Sequence, residues 1–152
     1  MNQHTSPEFA AMHSFFWDFT LEQRAVLAER AEAFEAAPDD LLTHEGKPAE
    51  AFYLINSGHV AIELHRPGLV PARIQSVGPG EAVGWSWLFP PYRWEFDARV
   101  IEAVKGVRYR AEWLREKCAA DAGLAAVMYK KVAGMIAARL TSTRLQLLDL
   151  YQ

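Results

Sequence analysis

Apolar residues recur at helical spacing at both ends of the chain and alternate with polar ones in between. Over residues 14–36 (SFFWDFTLEQRAVLAERAEAFEA), Leu21, Ala25, Leu27, Ala28 and Ala31 share one face. Thr20 and Gln23 have the spacing of a capping box, so the pattern predicts a helix there. From Pro38 to about Tyr109 the period shortens to β-type runs: LLTHEG, AFYLINSG, HVAIELHR, ARIQSVGPG, ARVIEAV and VRYRAEW. Turn signals at Gly46, Ser57-Gly58, Pro67-Gly68, Pro79-Gly80 and Lys105-Gly106 divide them. Strands at that spacing indicate a sandwich or barrel. From Ala111 the helical period returns, with Leu124, Val127, Met128, Val132, Met135, Ile136, Leu140, Leu145 and Leu148 at threes and fours.

The chain therefore reads as one domain over residues 1–152: an N-terminal helical part at 1–37, a β-barrel at 38–110 and C-terminal helices at 111–152. With 51% hydrophobic and 23% charged residues it can bury a core of its own. A net charge of -3 argues against the counterion release on which non-specific nucleic-acid binding depends. The N-terminal MNQHTSPEF lacks a basic stretch followed by an apolar one, and no run approaches a bilayer-spanning length, so the expected address is cytoplasmic, without membrane contact. The single Cys118 cannot form an internal disulfide and reads as a small helix residue.

Catalytic and metal constellations fail on spacing. His4, His13, His44, His59 and His65 contain no His-x-His pair, and His59 with Glu63 lacks further ligands. Ser57, Ser86 and Ser142 lie in no nucleophile elbow, Cys118 has no neighbouring histidine in sequence, and both phosphate-loop patterns are absent. No enzymatic activity is expected. Glu112, Arg115 and Glu116, and Lys130 with Lys131, read as solvated helix faces.

The order of elements, with FYLINSGHVAIEL (Phe52 to Leu64), QSVGPGEAVG (Gln75 to Gly84), Phe15-Phe16 and Thr43-His44-Glu45-Gly46, resembles the cyclic-nucleotide-binding domain of the catabolite-activator and protein-kinase regulatory superfamily. The resemblance covers nearly the whole chain. It implies a mainly β fold with α: an antiparallel jelly-roll barrel flanked by an N-terminal helix and long C-terminal dimerisation helices. It also implies a phosphate-binding cassette at 80–99, with a short helix at Gly84–Phe89 whose amides and dipole receive the cyclic phosphate.

The side chains of that cassette depart from the family pattern. Trp85 stands where a ribose-holding Glu is usual, and Phe96 and Asp97 precede Ala98 where Arg and Ser or Thr are usual. A carboxylate at Asp97 would repel a phosphate, and the lost contacts are worth about 1.5 to 3 kcal/mol per charged hydrogen bond. Binding of cAMP in the family's usual mode is therefore not expected. A shifted alignment would instead offer Arg93 or Arg99, with the amides of Ser86 and Trp87. The segment WSWLFPPYRWEF packs six aromatics into twelve residues. It fits an aromatic cavity for a flat ring beside Arg93, a packed core where a nucleotide would sit, or an exposed patch for a partner.

The resemblance further implies a homodimer through the C-terminal helix, where Ala133, Gly134, Ala137 and Ala138 allow close approach, and places Thr141 and Ser142 as candidate ligand contacts. The chain ends at Gln152, where transcription factors of the family continue into a helix-turn-helix module, so direct DNA binding is not expected. The functional expectation is a non-catalytic sensor or regulatory domain in which a nucleotide, either cyclic or NAD(P)H, or another small anion enters the barrel. The alternative is an accessory or docking subunit of a larger complex, redox and hydrogenase-type assemblies included, that binds a nicotinamide nucleotide or nothing.

Overall fold

In the computed structural model, which describes residues 13–151, the chain opens on a 3-10 turn at Ser14–Asp18. The reading of MNQHTSPEF and of His4 lies outside the described residues. His13 caps the turn: Phe15 N–H donates to its Nδ1 at 3.0 Å, and its Nε2 donates to Ile55 O at 2.9 Å. Helix α1, Leu21–Ala28, starts on the expected capping box, Gln23 N–H to Thr20 Oγ1 at 3.1 Å and Thr20 N–H to Gln23 Oε1 at 2.9 Å.

The helix does not continue to residue 36. Strand β1 runs Glu32–Ala36 and pairs antiparallel with β6 (Asp97–Arg110), from Glu32 opposite Arg108 to Ala36 opposite Val104. That pairing seats Phe34 against Tyr53, ring centroids 5.1 Å apart. Ladder bonds and burial of Phe34 outweigh the modest helix preference of Ala and Glu, so tertiary context wins.

The remaining strands are β2 (Leu41–Thr43), β3 (Ala51–Leu64), β4 (Ala72–Val77) and β5 (Ala82–Val83). All pairings are antiparallel, in the order β1-β6-β3-β4, with β2 on β6 and β5 on β3. Two expected turns are absent. Ser57-Gly58 and Lys105-Gly106 lie inside β3 and β6, which run 14 residues each and shift register beside them. At Gly58 (φ +89°) a Cβ would strike the Ala103 carbonyl oxygen, and at Gly106 it would strike that of Leu54. These glycines serve close approach at bulges rather than chain reversal.

The sheet curls around a core of Phe52, Leu54, Val60, Ile62, Val77, Val83 and Val107, closed on one side by Phe15, Phe16, Phe19 and Leu27. Helices α2 (Ala111–Ala120) and α3 (Ala122–Leu150) follow, separated at Asp121, whose carboxylate accepts from Leu124 N–H at 3.1 Å. Helix α3 is 29 residues, about 43 Å long. Its first half inserts Leu124, Met128 and Val132 into the core, whereas residues 141–150 are exposed throughout. Gln146 Nε2 still donates to Ile74 O at 2.6 Å, so the helix runs alongside β4. No described helix is long and apolar enough to cross a membrane.

Candidate functional site

Residues 84–99, the larger part of the expected 80–99 cassette, leave β5 at Gly84 and re-enter the sheet at β6. Gly84 has φ +79°, and a Cβ there would run into the Trp94 ring, so only glycine fits beneath that indole. The expected helix does not form. Residues 85–88 make one turn, closed by Leu88 N–H to Trp85 O at 3.0 Å. A single turn lacks the aligned dipoles of a helix start, so the backbone here is a weaker phosphate receptor than the expected helix, although only Leu88 among its amides has an acceptor within the turn.

The aromatics take the interior. Trp87 is 0% exposed, with its ring 4.9 Å from that of Phe52. Trp94 and Phe96 are buried 6.0 Å apart, and half-buried Trp85 lies 6.3 Å from Phe96. Ser86 is buried among them. The rim residues tie the segment to the helices: Phe89 meets Tyr129 of α3 at 6.0 Å, and Tyr92 (φ 57°) lies under the Arg115 guanidinium of α2 at 4.2 Å. Arg115 Nη1 also donates to Trp87 O. Arg115 is therefore a tie between helix and cassette, not the solvated residue its spacing suggested. Lys131 likewise is engaged, its Nζ 2.7 Å from Asp18 Oδ2.

The polar candidates point elsewhere. Buried Asp97 accepts through Oδ1 from Glu45 N–H at 2.8 Å and from His44 Nδ1 at 3.0 Å, fastening the loop after β2. Thr43 Oγ1 supports the same loop by donating to Phe96 O. Arg99 Nε donates to Glu63 Oε1 at 2.9 Å and Arg73 Nε to Glu63 Oε2 at 3.3 Å, so both cations are committed to one buried carboxylate. Exposed Arg93 donates to Gly46 O. Ala98 is an in-sheet position opposite Ile62 and Thr43. Thr141 donates back to Ala137 O of its own helix, and Ser142 lines a groove beside α3. The structure thus gathers Trp85, Ser86, Trp87 and Phe96 and disperses Arg93, Asp97, Arg99 and Thr141.

Besides Arg115 and Tyr129, a third helix residue outside those candidates reaches the cassette. The Arg139 guanidinium of α3 stands 5.3 Å over the Trp85 ring. Burial holds its pKa below the usual arginine value, and its Nη1 is enclosed without an acceptor among the described residues. The signal was present in sequence: Arg139 follows Leu124, Met128, Val132 and Met135 on the face of α3 that meets the barrel. The described residues hold no cluster of three metal-ligating side chains.

A family model for the cyclic nucleotide-binding domain matches residues 33–121, more than half of the chain, and the chain belongs to that family. Among curated proteins none matches it. A Geobacter metallireducens protein assigned as cyclic nucleotide-binding is 28% identical, aligning 89% of this chain with 98% of its own at TM-score 0.78. A cyclic nucleotide-binding domain from Methylobacillus flagellatus is 20% identical over 88% of this chain and 75% of that one, TM-score 0.77. The regulatory subunit of a cAMP-independent protein kinase A from Trypanosoma brucei is 18% identical over 72% and 40%, TM-score 0.63. The last two likenesses speak to the fold alone.

Proposed function

We propose that this domain is a non-catalytic regulatory module that acts as a homodimer through α3 and does not take a cyclic nucleotide in the family's usual mode. The observation that carries this reading is the closed cassette: Trp87, Trp94 and Phe96 fill it, Asp97 is committed to the loop after β2 and Arg99 to Glu63. A phosphate entering there would find Arg99 already committed to Glu63 and would have to displace packed rings to reach Arg139 over Trp85.

The dimer rests on the two faces of α3. One face inserts Leu124, Met128 and Val132 into the barrel. A second, spaced at threes and fours, runs Tyr129, Ala133, Ile136, Leu140, Thr143, Leu147 and Leu150. Tyr129, Leu140, Leu147 and Leu150 on it are exposed. A repeat of this period is a self-complementary seam for a second copy of the helix. Leu145 and Leu148 are exposed outside that seam. They favour the second reading, an accessory subunit that docks on a further protein.

Sedimentation equilibrium tests the dimer. The wild-type chain is expected at twice its mass at micromolar concentration, and Leu140→Asp at monomer mass with an unchanged thermal transition of the barrel. A monomeric wild type would overturn the proposal.

A further inference from the structure

A groove of about 690 Å³ runs along α3 on the side away from the seam, walled by the Ser14–Asp18 turn and by Gly80–Ala82. It exists because α3 presents Gly134, Ala138 and Ser142 there, four residues apart, where larger side chains would close it. At 3.6 residues per turn these positions lie roughly opposite the Ala133, Leu140 and Leu147 seam, so a second copy on that seam leaves the groove open. Its volume falls within the range of small-molecule sites.

The two ends of the groove differ in how their cations are held. At one end Lys131 is matched by Asp18 and Lys130 is exposed to solvent. At the other, about 12 Å along the helix, Arg139 lines the groove with no carboxylate in ion-pair range among the described residues. Glu81 is the acidic group that acts on Arg139, at longer range, and its Oε1 already accepts Gly78 N–H. A guanidinium sunk beside an indole, with one edge unpartnered, is an unmet demand for an oxyanion. Between the ends the groove is apolar: Val127, Met135 and Ala138 form the floor, and Trp17, 69% exposed, stands at the rim.

We propose that this groove binds a small organic anion, its phosphate or carboxylate head received by Arg139 and its apolar or aromatic body lying along Met135 and Ala138 towards Trp17. The guanidinium fork suits either head group. Because Arg139 also stacks on Trp85, an occupant of the groove bears on the cassette without entering it. This site lies outside residues 84–99, sharing only Gly80–Ala82 with the expected 80–99 cassette, and stands whether or not α3 dimerises.

The test is a titration of the full chain with phenyl phosphate and with 3-phenylpropionate, followed by calorimetry and by Trp fluorescence. Inorganic phosphate and benzyl alcohol serve as head-only and body-only probes. Saturable binding of at least one two-part probe, with both single-part probes weaker, is expected, and the stronger arm names the head group. Arg139→Gln should weaken that probe at least tenfold. Ala138→Leu, which fills the groove without touching the guanidinium, should abolish binding even if Arg139→Gln fails to fold. Lys47→Gln, a surface cation away from the groove, should change nothing. No saturable binding of either two-part probe to the wild type, or unchanged binding in Ala138→Leu or in a folded Arg139→Gln, would overturn the proposal.

Discussion

The cassette and the second half of α3 are the two regions in which this chain departs furthest from a nucleotide receptor, and they depart in opposite directions. Between residues 84 and 99 the buried side chains are packed rings on rings, Asp97 is held on a loop and Arg99 on Glu63, and Trp87 Nε1 is enclosed without an acceptor among the described residues. Between residues 141 and 150 every position is exposed, and among the described residues the hydrogen bond to the barrel is that of the Gln146 side chain. A region packed to completion has little left to offer a ligand. A helix with exposed leucines on more than one side is complete only against something else. On the proposed reading, recognition lies along α3 rather than inside the barrel.

The largest effect expected of that contrast is at Trp87. Replacement by Ala should cost about 3–5 kcal/mol, read as a lowered denaturant midpoint, because a fully buried indole leaves a cavity. A near-neutral result would mean that the cassette is a pocket and not a core. Next is Arg99→Gln, which withdraws one of two cations from buried Glu63 and should cost about 1.5–3 kcal/mol.

Smaller is the pH effect of His13. Burial holds its pKa below the usual histidine value, and both ring nitrogens are used in the neutral form. The unfolded chain therefore takes up this proton first as pH falls. The stability that His13 contributes is complete above about pH 6.5 and declines below it, down through the folded pKa. Thermal melts at pH 7.5 and 5.5 should show wild type losing a few degrees more than His13→Asn, which keeps a capping side chain without the titration. Smallest is Trp17→Ala at an exposed rim position, expected within about 0.5 kcal/mol by the same melts.

What could be read in the sequence was what local chemistry decides. Thr20 and Gln23 cap α1 because both bonds lie within one turn, and the fold follows from strand runs in a known order. Residues 32–36 were misread as helix because β6, some seventy positions away, makes them a strand. Gly58 and Gly106 were misread as turns because a bulge and a turn ask the same freedom of glycine, and only the strand opposite distinguishes them. In the cassette, the absence of the usual phosphate and ribose side chains was legible. The destination of the replacing rings was not, because Trp87 packs on Phe52 of a distant strand; the helix face that carries Arg139 was legible, but not its arrival over Trp85, which depends on where α3 lies.

Calorimetric titration of the wild-type chain with cAMP tests most directly the claim that recognition has moved out of the barrel. No saturable heat is predicted up to millimolar nucleotide, with the thermal transition unmoved. One molecule bound per chain at micromolar affinity, weakened by Trp87→Phe or Phe96→Leu, would contradict it and restore the barrel as the receptor.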